Sequence, residues 1–349
     1  MKALVAMSGG VDSSVAAALM KDAGHDVIGV TLKLWSGPNG EAPTAGCCTV
    51  SDAEDARRVA AELDIPYYVF DYTDDFKDGV VDRFVRDYAS GQTPNPCIEC
   101  NRTVKFDRLL NRLEEFDRDV LVTGHHARVQ ENDGVWTLLR GTDPSKDQSY
   151  VLSMLTQDEL SRVQFPVGEL TKKGVRRIAA SMGMRSAHKP ESMDICFVGQ
   201  GDYRSFLQQN APEVFTPGRI VDTHGADLGT HDGIVGFTVG QRRGLGVAVG
   251  EPRFVVRIEP AESTVVVGGR DDLEVTGVEL HQVTWSNGQM GDGPLTAQFR
   301  AHGEPVSAKL QGTHLMFDDA QHAVSPGQTV AFYDDEKVLG GGLISRTNL

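Results

Sequence analysis

Short apolar runs separated by amphipathic segments organise the first half of the chain. Ala3-Leu4-Val5, Val27–Leu34, Tyr67–Phe70 and Val120–Val122 are apolar enough to be buried on both faces, as parallel strands are. Between them apolar residues recur at helical spacing. Gly24 ends a helix that opens at Ser13-Ser14. Ser51 and Glu54 form a capping box before Ala53, Ala56, Val59, Ala60 and Leu63, and Asp74–Tyr88 reads as another helix. Asn95-Pro96 caps the next, which runs to about Phe116. Strands alternating with helices predict an α/β domain with a doubly wound parallel sheet, which binds ligands at the C-terminal strand ends. That rule places Ser8–Ser13, Leu32 and Gly124 on one rim.

From Gln148 to about Met184 the pattern is helical. Beyond Phe206, glycine, proline and short β-branched runs dominate. The expected division is a nucleotide-binding catalytic domain over residues 1–205, a small β-rich central domain over 206–270 and a C-terminal β-barrel over 271–349. The barrel strands are read at Leu295–Arg300, Ala308–Leu310, Leu315–Phe317 and Thr329–Tyr333.

The most informative stretch is Ala6-Met7-Ser8-Gly9-Gly10-Val11-Asp12-Ser13-Ser14, directly after the first strand. Its glycines allow a tight turn and close backbone approach to a ligand, and the helix start behind them favours an anion such as phosphate. No Gly-Lys-Ser/Thr follows, so the loop is not one that grips a transferable γ-phosphate. Ser-Gly-Gly-x-Asp-Ser resembles the pyrophosphate loop of ATP pyrophosphatases.

Composition adds constraints. Across 349 residues the net charge is −15, which counts against a nucleic-acid partner unless basic residues cluster. They do so in two groups: Arg102, Lys105, Arg108 and Arg112, and Lys172, Lys173, Arg176, Arg177, Arg185 and Lys189. Five cysteines (Cys47, Cys48, Cys97, Cys100 and Cys196) do not suit a secreted disulfide scaffold, so reactive or metal-binding thiols are expected. No apolar run approaches the ~20 residues of a membrane span and no signal-peptide pattern is read, so a cytoplasmic protein without membrane partners is expected. Cys97 and Cys100 lie near a helix start with Arg102 and Lys105 close by, a setting that favours thiolate. Cys196, between Ile195 and Phe197, also reads as an ordinary buried cysteine.

Taken in order, several motifs resemble the tRNA-specific 2-thiouridylases. They are Ser8-Gly9-Gly10-Val11-Asp12-Ser13, Thr93-Pro94-Asn95-Pro96 with Cys100, Thr123-Gly124-His125 and Lys146-Asp147-Gln148-Ser149-Tyr150. Ile195-Cys196-Phe197, Gly240-Gln241-Arg242-Arg243-Gly244-Leu245 and Gly340-Gly341-Gly342 complete the set. The resemblance implies a transferase that adenylates the C2 oxygen of a wobble uridine and replaces it with sulfur. By family, Ala6, Met7, Ser8, Gly9, Gly10, Val11, Asp12, Ser13, Leu32 and Gly124 would bind ATP, with Asp12 positioning Mg²⁺. Cys196 would carry persulfide sulfur, and Cys100 would resolve it through a disulfide bond. Asn95, Pro96 and Cys97 would line the target base. His125, Lys146, Asp147, Gln148, Gln298, Phe299 and Gln328 would touch tRNA. The family also suggests Lys, Glu and Gln tRNAs as substrates and a cysteine desulfurase as sulfur donor.

Cys97 stands where many family members have Asp. The three thiols Cys97, Cys100 and Cys196 open a second route, a 4Fe–4S cluster with its fourth iron left to bind sulfide. Other readings are a 4-thiouridine or lysidine synthase, an amide-forming synthetase, a zinc module built on Cys97 and Cys100 with Cys47-Cys48, and a nucleotide-binding regulator without catalysis.

Overall fold

The computed structural model describes residues 1–36, 49–189, 195–198, 202–288 and 291–347. Cys47, Cys48 and residues 190–194 before Cys196 lie outside the described residues. The first sheet is all parallel. It is built from β1 (Lys2–Ala6), β2 (Asp26–Lys33), β3 (Tyr67–Asp71), β4 (Val120–Val122) and, after the hairpin β5 (Ala127–Asn132) and β6 (Val135–Arg140), β7 (Val163–Gln164). Its order is β3-β2-β1-β4-β7. The chain reverses direction across the sheet between β1 and β4, which is where such sheets hold ligands.

The helices are short except for two. These two, α1 (Val11–Asp22) and α2 (Val50–Glu62), pack one face of the sheet. There Val15, Ala16, Ala17 and Ala18 are fully buried with Val5, Val59 and Val122. Alanines at these positions let α1 sit close to the strands. The α2 capping box lies two residues earlier than the sequence pattern suggested. Thr49 accepts from the Asp52 backbone N–H, and the Asp52 side chain accepts from Thr49, so Ser51 and Glu54 are not the pair. Asp52 is buried and Glu54 exposed, which is why the box forms at the earlier site.

On the other face, α3 (Thr73–Phe76) runs through a π-helical turn into α4 (Asp82–Ala89). In the same way α5 (Pro96–Cys100) runs through a π-helical turn into α6 (Asp107–Arg112). The stretch from Gln148 to Met184 is less helical than its pattern. It holds α7 (Gln157–Ser161), the two-residue strand β7, two 3₁₀ turns and α8 (Lys172–Ser181). β7 is too short to show a period of two, and the edge of β4 supplies its partner.

After α9 (Tyr203–Asn210), β8 (Gly218–Asp222), β9 (Asp227–His231), β10 (Phe254–Glu259) and β11 (Thr264–Gly268) form a four-stranded central sheet with its own small core around Ile220, Val255 and Val265. The final strands are β12 (Glu274–Trp285), β13 (Gly293–Gln298), β14 (Val306–Gln311), β15 (His314–His322), β16 (Thr329–Asp334) and β17 (Lys337–Thr347). They close into an antiparallel barrel through the β12–β17 pairing.

The hairpin β5–β6 comes from the first 205 residues but pairs with β17, extending the barrel's sheet. Asp133-Gly134 at its tip, both at positive φ, is the two-residue turn such hairpins prefer. No helix among the described residues is long and apolar enough to cross a membrane.

Candidate active site

The glycine loop is held by its own serines. The Ser8 N–H donates to Ser13 Oγ at 3.1 Å, and the Ser13 and Ser14 hydroxyls donate to the Gly10 carbonyl at 3.2 and 2.8 Å. Gly10 caps α1 without any side-chain cap, so first-turn N–H groups are left to face a ligand. Gly9 has φ +69°, and a Cβ there would lie 2.2 Å from the Asp52 carbonyl. Gly124 ends β4 against the first turn of α1, where a Cβ would lie 2.5 Å from the Ser13 nitrogen. Glycine is required at both positions so that loop, α2 and β4 can converge.

Beside this loop lies a cavity of about 300 Å³. Ala6, Met7, Ser8, Gly10, Val11, Asp12, Ser13, Leu32 and Gly124 line it, which is all of the expected ATP set except Gly9. Four lysines also line it: Lys105, Lys146, Lys172 and Lys189. Among the described residues, the carboxylates set against them are Asp12 and Asp52 in the lining and Asp55 behind Lys189, fewer than the lysines. The cavity therefore suits a polyanion.

Lys172 Nζ donates to both Asp12 oxygens at 2.9 and 2.7 Å, and His126 Nε2–H donates to Asp12 Oδ1 at 3.0 Å. Burial alone would raise the Asp12 carboxyl. The hydrogen bonds from His126 and Lys172, with the Lys172 charge, outweigh it and hold the group below its ordinary value. Lys189 Nζ reaches Asp52 at 2.6 Å, Asp55 at 2.8 Å and the Gly9 carbonyl at 3.2 Å. Burial works against its charge, but the two carboxylates raise its pKa. His125 packs on Phe106 and Phe165. Burial, with the charge of Lys105, pushes its imidazole down to about 3, so it is neutral at ordinary pH.

A family model described as "tRNA methyl transferase HUP domain" matches residues 1–200. A "tRNA methyl transferase PRC-barrel domain" follows at 204–269 and an "Aminomethyltransferase beta-barrel domain" at 275–344. The tRNA-specific 2-thiouridylase MnmA of Roseiflexus castenholzii is 45% identical over 368 aligned residues, covering 99% of each chain. Another protein of that name, from Herpetosiphon aurantiacus, is 48% identical over 350, covering 99% of this chain and 98% of its own. This chain belongs to the tRNA-specific 2-thiouridylase family. Among solved structures, a 4-thiouridine synthetase–RNA complex with bound ATP aligns over 61% of this chain and 51% of its own. Its identity is 19% and its TM-score 0.36, too low to carry any argument.

The remaining residues that resemblance to the thiouridylases singles out fall into three groups. His125, Lys146 and Gln148, expected at tRNA, line the loop cavity together with His126, and the Gln148 side chain accepts from the His126 N–H at 2.9 Å. Asn95 caps α5 by accepting from the Cys97 N–H at 3.1 Å, with Pro96 buried behind it.

The second group is the thiols. Cys97 is exposed, Cys100 buried and Cys196 half-buried. Cys100 belongs to the large hydrophobic cluster that includes Phe84, Phe197 and Phe206, and Cys196 packs against the same cluster. The cluster route is not supported. Among the described residues no three His, Cys, Asp or Glu side chains gather at metal-binding range. The zinc module draws on Cys47-Cys48, which lie outside the described residues.

The third group faces inward. The Asp147 carboxylate accepts from Arg140, the Gly141 and Ser149 N–H groups and the Ser149 hydroxyl. Gln298 is buried and accepts from Arg140 at 3.3 Å. Phe299 packs on Phe317 in the barrel, and the Gln328 side chain accepts from the Ser325 N–H.

Sequence reading did not single out His126, and it placed Lys105, Lys172 and Lys189 in basic clusters read as a nucleic-acid footprint, with Lys105 also beside the Cys97 and Cys100 thiols, rather than at the ATP loop. His126 had one available signal, its place directly after Gly124-His125. The lysines had none. Packing of α8 on α1 sets the site of Lys172, while Lys105 comes from the π-helical turn between α5 and α6 and Lys189 from the segment that follows α8. The arginines of the first basic group are paired, Arg102 with Glu99 at 2.5 Å, Arg108 with Asp75 at 2.7 Å and Arg112 with Glu115.

Proposed function

We propose that this chain modifies tRNA by replacing the C2 oxygen of the wobble uridine with sulfur, using ATP. The observation that supports this most is the polyanion cavity on the glycine loop, flanked by a hydrophobic cluster that carries Cys100 and Cys196. The C2 oxygen is a poor leaving group. It attacks the α-phosphorus, pyrophosphate departs, and the N3 proton is lost, leaving an adenylated base. The first-turn N–H groups of α1 and the cavity lysines stabilise the departing pyrophosphate. Asp12 is the carboxylate fitted to hold Mg²⁺ brought in with the nucleotide, which needs only one or two carboxylates when phosphates supply other oxygens.

The outer sulfur of a Cys196 persulfide then adds to C2 and AMP leaves with the former oxygen. The Cys100 thiolate attacks Cys196 Sγ. The sulfur–sulfur bond breaks, the outer sulfur stays on C2, N3 regains its proton, and a Cys100–Cys196 disulfide forms for an external thiol to reduce. Asn95, Pro96 and Cys97 present the base, splayed out of its stack as such chemistry requires. The tRNAs proposed are those for Lys, Glu and Gln, the sulfur source a cysteine desulfurase, and the compartment the cytoplasm.

Incubation with MgATP, a persulfide donor and unmodified tRNA should give 2-thiouridine by nucleoside mass spectrometry. Cys196→Ser should bind tRNA and ATP yet give none, since a hydroxyl carries no sulfane sulfur. Persulfide found on Cys100 and not on Cys196 in the unaltered protein would reverse the two roles.

A further inference from the structure

A second cleft, of about 330 Å³, opens between the catalytic domain and the barrel. One wall is α4 and the Gln92–Asn95 turn, the other the β12 bulge with Gly327 and Thr329. The walls are fixed to each other. The Thr93 N–H donates to the Pro326 carbonyl at 2.8 Å, and Gly327 sits so close that a Cβ would lie 2.8 Å from the Thr93 nitrogen. The cleft therefore cannot collapse, and its size falls in the ~300–1,000 Å³ range of small-ligand sites.

Its charges are arranged unevenly. Arg83 is held by Glu99 at 2.8 Å and Asp87 at 3.6 Å, and Glu99 is held again by Arg102. Arg86, one turn along α4, is exposed at the cleft and makes no ion pair among the described residues. Opposite stands Gln282, with φ +51° at the point where the β12–β17 register slips. A glutamine in left-handed backbone costs about 1–2 kcal/mol, and bulges of this kind re-aim a side chain. Asn95 lines the same cleft, so it begins where the target base is presented.

We propose that this cleft holds the nucleotide adjoining the target uridine in the RNA chain, its phosphate against Arg86 and its base edge against Asp87 and Gln282. The inference rests on the tRNA reading above. When a single strand is splayed, the flipped base and its neighbour need separate sites, and an exposed cation facing an amide and a carboxylate fits a phosphate and a base edge.

The test measures affinity of the full chain for an anticodon-arm RNA and for two versions with an abasic residue, one 5′ and one 3′ of the target uridine. The unaltered protein should lose at least about fivefold for one abasic arm. Arg86→Glu should bind the intact arm about tenfold more weakly. Gln282→Asn keeps an amide and a residue type that tolerates left-handed backbone, so it should fold normally and lose discrimination between the arms. ATP affinity without RNA should be unchanged in both variants. An abasic penalty that is absent, or equal in all three proteins, overturns the cleft while thiolation by the unaltered protein leaves the tRNA reading standing. No binding of any arm and no thiolation overturns both.

Discussion

At the scale of single residues, Asp12 sits in the first turn of α1 between Lys172 and His126, not in an exposed turn. Asp12→Asn removes the charge that organises both partners and the fitted Mg²⁺ carboxylate. ATP-dependent thiolation should fall by at least about 100-fold, while unfolding stays cooperative. Steady-state product formation and thermal melts check this, and near-normal turnover would remove Asp12 from the site. His125 supplies a pH dependence. Its folded pKa of about 3 lies below the ordinary value, so between about 6.5 and 3 the unfolded chain binds a proton that the folded chain does not. This contribution to stability is present in full above about 6.5 and is lost as pH falls, by at most about 1.4 kcal/mol per pH unit. Denaturant unfolding at pH 7.5 and pH 5 should show a smaller difference in His125→Gln than in the unaltered protein.

At the scale of elements, the hairpin β5–β6 decides how the nucleotide cavity is tied to the barrel. It begins at Ala127, directly after the His126 that holds Asp12, and ends at Arg140. The Arg140 guanidinium lies 3.6 Å from the Tyr333 ring centroid, 2.8 Å from Asp147 and 3.3 Å from Gln298. One side chain thus joins the hairpin, the Lys146–Gln148 segment and two barrel strands. Arg140→Ala leaves the largely buried Asp147 short of its cation and should cost about 2–4 kcal/mol in urea unfolding. It should also weaken ATP binding, because Gln148 and Lys146 line the cavity. Loss of stability with ATP affinity intact would show that the segment is anchored elsewhere.

At the scale of the whole molecule, the catalytic sheet and the barrel share one hydrophobic cluster. Leu138, Tyr150 and Leu152 pack in it with Ala331, Tyr333 and Val338. Tyr150 also donates to the Thr329 carbonyl at 3.0 Å. Cutting the chain after residue 270 would expose this surface and strip β6 of its β17 partner. The 1–270 fragment should aggregate, or unfold without a sharp transition, in size-exclusion and melting experiments. A monomeric fragment with a cooperative melt would mean that the catalytic half folds alone.

The sequence by itself determined the parallel sheet, the glycine loop and the rim on which they meet. Their signals are local, since buried strands need apolar runs and a phosphate turn needs glycines at fixed spacing. It also carried the family, through motifs kept in order from Ser8 to Gly342. The Asn95 cap was legible for the same local reason, whereas the α2 cap was misplaced because burial chose between two candidates two residues apart, Thr49 and Ser51. Only the tertiary structure decided where the cations go. Lys172 and Lys189 look like members of one basic cluster along the chain; Lys172 becomes a cavity wall because α8 packs on α1, and Lys189 because the segment after α8 brings its amine to Asp52 and the Gly9 carbonyl. The fate of the hairpin was equally hidden. Its Asp133-Gly134 turn is local, but its partner β17 lies some two hundred residues away, and no periodicity along a strand names the strand it pairs with.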